Sequence, residues 1–361
     1  MSRKCLCVVA VCLLTVLAVP LFAQSTFKLK GAPKIAWVYL NVKKDGGWQE
    51  ALDEARVQLE KVFGQKIPFT EGVKETPADI RPAVEKFIQR GYNIINGSAF
   101  GYSDTLKELA AKYPDVMFLN PAGTTNGPNL LSYYGRTYES QYLCGMAAAA
   151  KSKSGKLGFV AAHQFGLVNW TVNGYALGAQ KVNPKATVTA IFIGAWYDPV
   201  KERAATEALI DQGCDVIGMH VDTPTPAIVA QERGVYNTGH HRDMREFAPK
   251  ATIASSVWTW ERFLTPTYKK VIAGQFVEQP YGAFIGIKDG GVDVTLAEDV
   301  LGKDMVNKIM AERKAIIGGK HVFAGPLSDR DGKERVKAGE TPSDADLWAM
   351  DWFVPGVISQ R

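Results

Sequence analysis

The sequence predicts an α/β protein built from two similar doubly wound lobes joined by several chain crossings. Three observations predict it. Short apolar runs alternate with amphipathic helical runs from Lys34 onward, as parallel strands with crossover helices require. The same rhythm restarts after Lys151. The chain of 361 residues, about 338 once a leader is removed, exceeds one comfortable hydrophobic core.

The leader covers residues 1–23. Arg3 and Lys4 give a charged start, Cys5 to Leu21 is apolar, and Leu21-Phe22-Ala23 ends on a small residue, the pattern of a cleavable secretory signal peptide. The rival reading, a membrane anchor, is disfavoured by Thr15, Pro20 and a run marginal for the roughly 20 residues a span needs. Cys12 is preceded by Val11 and by too little apolar sequence to be a lipid-attachment site, so the expected product is soluble and exported. Cys5, Cys7 and Cys12 leave with the leader. Cys144 and Cys214 remain, able to pair in an oxidising compartment or to stay as buried thiols.

In chain order, strand 35–42, helix 48–63, strand 66–71, helix 78–90, strand 93–95, helix 103–113 and strand 116–120 make the first lobe. Strand 131–135 leads out, and helix 137–151 opens the second lobe. It continues as strand 156–161, helix 169–181, strand 187–193, helix 199–212, strand 216–220, helix 225–233 and strand 235–238. Residues 252–258, helix 262–273 and the region of Tyr281 cross back, with the tail from Val292 expected on the outside. The first lobe is therefore assigned 34–135 plus about 254–285, and the second 136–253 plus about 286–361. Several crossings between two lobes make a hinge.

Ligands of open α/β sheets collect outside the carboxyl ends of the strands. Four turns stand there: Asp45-Gly46-Gly47-Trp48, Gly97 to Asp104 with Phe100 and Tyr102, Gly194 to Pro199 around Trp196, and Trp258-Thr259-Trp260. The glycines of the first turn permit a sharp bend and close approach to a ligand, and the helix after it offers free N–H groups. Trp48 and Trp196 belong to different lobes, so closure would sandwich a flat ring between two indoles. Asp104, Asn169, Asp222 and Asp243 are candidates to fix the ring edge by hydrogen bonds. Asp104 has a second reading as a helix cap, and Asp198 before Pro199 reads as a cap.

Other chemistries lack their motifs. There is no Gly-x-Ser-x-Gly elbow, no Gly-x-x-x-x-Gly-Lys-Ser/Thr loop and no dinucleotide fingerprint, so no enzyme and no cofactor is expected. The five histidines lack zinc-ligand spacing, and His240 and His241, as neighbours, point apart unless the backbone bends. The net charge of +5 is spread among acidic residues, with no basic stripe for nucleic acid.

Asp45-Gly-Gly-Trp48, Gly97-Ser-Ala-Phe-Gly-Tyr102, Tyr134-Gly-Arg-Thr-Tyr-Glu139, Asn173-Gly-Tyr-Ala-Leu-Gly178, Trp196-Tyr-Asp-Pro199, Phe323-Ala-Gly-Pro-Leu and Met350-Asp-Trp-Phe-Val-Pro-Gly356 occur in that order. This set resembles the basic membrane protein family, the periplasmic solute-binding components of ABC importers similar to purine nucleoside receptors, over about Lys34 to Val357. The resemblance implies a type I periplasmic-binding-protein fold of two Rossmann-like lobes, a purine held between two aromatic rings, an inner-membrane ABC permease as partner, and a monomer in the periplasm. It puts the family's two aromatics on Trp48 and Trp196, its turn Asp on Asp45, with Gly46 beside it, and a later acidic residue on Asp243 or its neighbour His241. Where nucleoside-binding relatives carry a ribose-holding Lys, this chain has Trp258, which shrinks the polar part of the pocket. The expected ligand is accordingly a free purine base, adenine-like. The alternatives are a purine nucleoside and a ligand-sensing role with the same cleft.

Overall fold

Buried parallel strands read as near-continuous apolar runs, since helices cover both faces of their sheet. In the computed structural model, which describes residues 26–360, such runs form two sheets. The chain runs β1 (Ile35–Val38), α1 (Trp48–Phe63), β2 (Phe69–Thr70), α2 (Pro77–Gln89), β3 (Ile94–Gly97), a 3-10 turn (Phe100–Tyr102), α3 (Ser103–Lys112), β4 (Met117–Pro121) and β5 (Leu130–Gly135). It passes into α4 (Thr137–Lys151), β6 (Lys156–Ala161), α5 (Gly166–Val182), β7 (Thr187–Phe192), α6 (Pro199–Asp211), β8 (Val216–His220), α7 (Thr225–Glu232), β9 (Tyr236–Gly239), a 3-10 turn (Met244–Glu246) and β10 (Thr252–Trp258). There follow α8 (Trp260–Ile272), β11 (Ala283–Ile285), β12 (Val292–Leu296), α9 (Glu298–Leu301), α10 (Lys303–Ile317), β13 (Leu327–Ser328), β14 (Glu334–Val336), α11 (Asp344–Trp348) and β15 (Val357–Gln360).

The first sheet has the order β11-β5-β4-β3-β1-β2, and the second β12-β10-β9-β8-β6-β7-β15. Within the two sheets, pairing is parallel apart from β12, which runs antiparallel to β10. The chain crosses between lobes after β5, after β10 and after β11, a three-strand hinge of the type I periplasmic-binding-protein fold. In the first sheet the winding reverses between β1 and β3, in the second between β6 and β8. These reversals open the crevices where ligands of such sheets bind.

Three expectations are corrected. The second strand shrinks to Phe69–Thr70. Residues 252–258 form β10 of the second sheet, so the return to the first lobe begins at α8, which packs on α1, rather than near 254. The tail does not simply lie outside: β12 and β15 are the two edge strands of the second sheet. Cys144 and Cys214 are both buried free thiols. The leader and Cys5, Cys7 and Cys12 lie outside the described residues. Among the described residues no helix is long and apolar enough to cross a membrane.

Helices α4 and α5 pack backbone to backbone behind the second sheet. A Cβ on Gly178 would stand 1.8 Å from the Tyr142 carbonyl oxygen, and one on Gly145 2.0 Å from that of Tyr175. At the hinge end of α4, Glu139 accepts a hydrogen bond from the Ile287 N–H at 2.8 Å. Burial pushes its carboxyl up to about 7. Below about pH 4.5 Glu139 is protonated folded or unfolded. Between there and pH 7 only the unfolded chain releases its proton, so this group makes stability fall as pH rises, by about 3 kcal/mol in all. Glu139→Gln should flatten the stability profile between pH 4.5 and 7 in denaturant titrations. An unchanged slope would show that the carboxyl is already ionised in the native state.

Candidate ligand-binding site

The carboxyl ends of β1, β3, β6 and β8 face one another across the lobes, and a cavity lies between them. Leu40, Trp48, Glu75, Ala99, Phe100, Ala122 and Tyr134 line it from the first lobe, and Leu167, Trp196, His220, Asp222 and His241 from the second. Trp48 is the first residue of α1 and is 6% exposed. Its indole N–H donates to the Ser98 carbonyl at 2.7 Å, which ties the α1 turn to the end of β3. Tyr134, Trp258, Trp260 and His241 surround the ring at 5.5–6.2 Å between centroids. Trp196, in the β7–α6 turn, is half-buried and meets His163 edge-on at 4.9 Å. Phe100 of the first lobe stacks on Phe165 of the second at 5.7 Å and 15°, so aromatic contact bridges the lobes beside the cavity.

Asp45 is buried but is not among the lining residues. Its carboxylate accepts from the N–H groups of Gly47, Gln49 and Glu50 at 2.9, 3.0 and 3.2 Å. The N–H groups expected to be free for a ligand are therefore occupied. Burial first, and the nearby Asp222 charge second, push the Asp45 carboxyl up to about 7. Gly46 and Gly47 also do something other than approach a ligand. A Cβ on Gly46, whose φ is +83°, would fall 2.6 Å from Pro224 Cδ, and one on Gly47 would fall 2.2 Å from the Asp222 carbonyl oxygen. The two glycines seat one lobe on the other. Beside them Arg242 of the second lobe reaches Glu50 at 3.2 Å and Glu54 at 2.7 Å on α1.

His241 has φ +70°, and this bend brings its ring within 4.2 Å of the His240 ring, where neighbours on a plain strand would point apart. His220 is 4.4 Å from His240 by centroids. Burial holds His220 and His240 well below the usual imidazole range and brings His241 down to about 3, so all three are neutral. Among the described residues no such cluster is arranged to hold a metal ion. Asp222 lies with a carboxylate oxygen 3.3 Å from His241 Nε2, and burial, then the Glu75 charge, pushes it well above the usual carboxylate range. Two carboxyls and no Lys or Arg line the cavity. Such a lining offers no cation to offset the desolvation of a phosphate or other anion.

Besides Asp45 and Gly46, five expected residues stand outside the lining. Tyr102 is in the first lobe's core with its hydroxyl donating to the Val73 carbonyl, because the 3-10 turn rotates it away from Phe100. Asp104 is exposed in the first turn of α3. Asn169 is buried and donates to the Met350 carbonyl at 2.8 Å, which fastens the tail. Asp243 caps the 3-10 turn at Met244, accepting from the Arg245 N–H at 3.1 Å, and pairs with the Arg245 guanidinium. Trp258 stands behind the lining, stacked on Trp260 at 4.3 Å and 16°. Glu75, Tyr134, Leu167 and His220 line the cavity without having been singled out. Tyr134, one residue before the end of β5, and His220, the last residue of β8, were reachable by the strand-end rule. Glu75 sits in a loop that carries no such signal.

Two doubly wound lobes closed over an aromatic cavity are the architecture of the type I periplasmic-binding-protein fold. The chain belongs to the Bmp family, ABC transporter substrate-binding protein PnrA-like, whose family model matches residues 32–323. This family comprises binding components, not enzymes, that act outside the cytoplasm and pair with a permease and a small-molecule ligand. The chain is similar to a purine-binding protein of Brucella abortus, with 34% identity over 328 residues, covering 90% of this chain and 92% of that one. It is also similar to a putative ABC transporter glucose-binding protein, TsgA13, of Haloferax volcanii, with 35% identity over 258 residues, 71% of this chain and 65% of that one. Among solved structures, an ABC transporter solute-binding protein from Conexibacter woesei superposes with a TM-score of 0.66 at 22% identity, covering 80% of this chain and 98% of that one.

The seating of Gly47 on Asp222 gives a test. Gly47→Ala should prop the lobes apart and weaken ligand binding at least tenfold, a loss of about 1.4 kcal/mol or more. Small-angle scattering should then show a larger radius of gyration in the presence of ligand than for the parent protein. Parent-like affinity and compaction would mean that closure does not need this contact.

Proposed function

We propose that this protein is the periplasmic, monomeric binding component of an ABC importer that captures a purine nucleobase, adenine-like, in the interlobe cavity and delivers it to the permease. The observation that carries the proposal is the lining itself: indoles from both lobes, a carboxyl edge at Asp222, and no cation. Aromatic rings offer stacking to a flat heterocycle, and Asp222 offers hydrogen bonding to its edge. Absence of Lys and Arg from the lining suits an uncharged base. The similarity to a purine-binding protein supports the same ligand class.

A second reading, a purine nucleoside, draws on an adjoining cleft of about 820 Å³ that shares Phe100, Tyr134 and Leu167 with the cavity and offers space beyond the base. Calorimetry on refolded, ligand-stripped protein with adenine, hypoxanthine, guanine, adenosine, guanosine and glucose separates these. The nucleobase reading expects the bases to bind most tightly. Tighter nucleosides would move the assignment to the second reading, and tighter glucose would remove purines altogether.

The two tryptophans should respond differently to truncation. Trp196→Ala, at a half-buried turn, should weaken adenine binding by about 1–3 kcal/mol with little change in unfolding midpoint. Trp48→Ala should cost binding and also about 3 kcal/mol of stability, because the indole packs among Tyr134, Trp258 and Trp260. Equal and purely structural losses from both would place Trp196 in the core and not in the binding surface.

A further inference from the structure

Trp258 does not line the cavity, yet it makes a directional contact with a residue that does. Its indole Nε1–H donates to His241 Nδ1 at 2.8 Å. An indole nitrogen is a donor only, so His241 Nδ1 must be the acceptor, and the proton of the neutral ring is on Nε2. That nitrogen is buried and makes no hydrogen bond of good geometry; a carboxylate oxygen of Asp222 lies 3.3 Å away, and the Val221 backbone is the other polar group beside the ring. Among the described residues no side chain other than His241 stands in ion-pair reach of the Asp222 carboxyl. The three groups thus stand in line, indole to imidazole to carboxyl, the first contact a hydrogen bond and the second an approach at 3.3 Å, with the carboxyl on the cavity wall.

The surroundings hold this arrangement in register. Trp258 is clamped by its stack on Trp260 and by Gly135, where a Cβ would fall 2.3 Å from the indole ring. The backbone N–H of Trp258 donates to the His241 carbonyl at 3.1 Å, and the Asp222 N–H donates to the Trp196 carbonyl at 2.8 Å. His241 is fixed in its bend at φ +70°. Each member is therefore held by backbone contacts as well as by its neighbour.

We infer that Trp258 and His241 are positioning residues: they hold one oxygen of Asp222 on the His241 Nε2–H and leave the other to pair with a ligand edge that carries an unsubstituted N–H beside a ring nitrogen. This rests on the purine-base reading and sharpens it to heterocycles with a free amidine-like edge. Such an edge suits the carboxyl in both protonation states, giving its N–H to the carboxylate or taking the acid proton on the ring nitrogen. A substituent on the paired nitrogen removes the donor and puts bulk against Asp222.

The test is a cycle between protein and ligand. Adenine, 7-methyladenine, 9-methyladenine and N6,N6-dimethyladenine are titrated by calorimetry into the parent protein and into Trp258→Phe, which keeps a ring but loses the N–H. At least one methylation should cost the parent a hundredfold or more in affinity and cost Trp258→Phe tenfold less than that. Penalties equal in both proteins would overturn the assignment. His241→Gln, which keeps an N–H donor, should retain adenine binding within about tenfold, while His241→Leu should lose it; equal losses would count against the relay. Long-range ¹H–¹⁵N spectra give a ligand-independent reading: His241 should be the Nε2–H tautomer in the parent and a mixture in Trp258→Phe. An Nδ1–H tautomer in the parent refutes the relay. If no purine binds the parent, the nucleobase reading fails while the tautomer still decides the indole-to-imidazole contact.

Discussion

Everything about the site depends on how closely one backbone approaches another at Gly46 and Gly47. The turn after β1 lies against Pro224 and the Asp222 carbonyl of the opposite lobe, with no room for a side chain. Only that approach brings Trp48 and Asp222 onto one cavity and lets Arg242 reach Glu50 and Glu54. Arg242 is shielded while its partners are partly exposed, so the ion pairs add modestly to closure and weaken in salt. The steric fit of the glycines sets the geometry, and the ions fasten it.

Closure also sets the electrostatics. Asp45 and Asp222 come together under low dielectric, and each is pushed above the usual carboxylate range. Three imidazoles beside them are kept neutral by the same burial. A cavity of this kind cannot compensate an incoming negative charge, but it can pair with the polar edge of a neutral ring at little desolvation cost. The electrostatics of the cavity thus follow from the burial of groups already present.

The lobes, the parallel winding and the positions of the four turns were legible because periodicity reports burial, and burial is what parallel sheets impose. Trp48, Phe100, Trp196, Asp222 and His241 were reachable because they follow strand ends. What periodicity does not report is rotation within a turn. Tyr102 lies two residues beyond Phe100, and a single 3-10 turn sends it into the core instead of the cavity. Asp243 is two residues beyond His241 and caps the next turn instead of facing a ligand. The His240–His241 contact depends on a positive φ at a non-glycine residue, for which the sequence holds no marker. Gly46 and Gly47 were visible as glycines, but whether a ligand or a lobe fills the space beside them is a property of the closed molecule.

Two of the motifs that mark the family owe their spacing to each other and not to the ligand. Asn173 donates to the Trp352 carbonyl at 2.9 Å and accepts from the Val354 N–H at 2.9 Å, while Asn169 holds Met350. These bonds lay the tail along α5 and deliver Trp348 to the hinge, where it packs on Trp170, Phe284 and Tyr134. Phe284 and Tyr134 belong to the first sheet and Trp170 to the second lobe, so the tail clamps both sides of the joint. Arg136, at the first crossing, pairs with Asp344 at 2.8 Å on the same tail. The ring contacts of this cluster therefore span the joint between the lobes. The tail thereby acts on the cavity through Tyr134, the residue shared by hinge and lining.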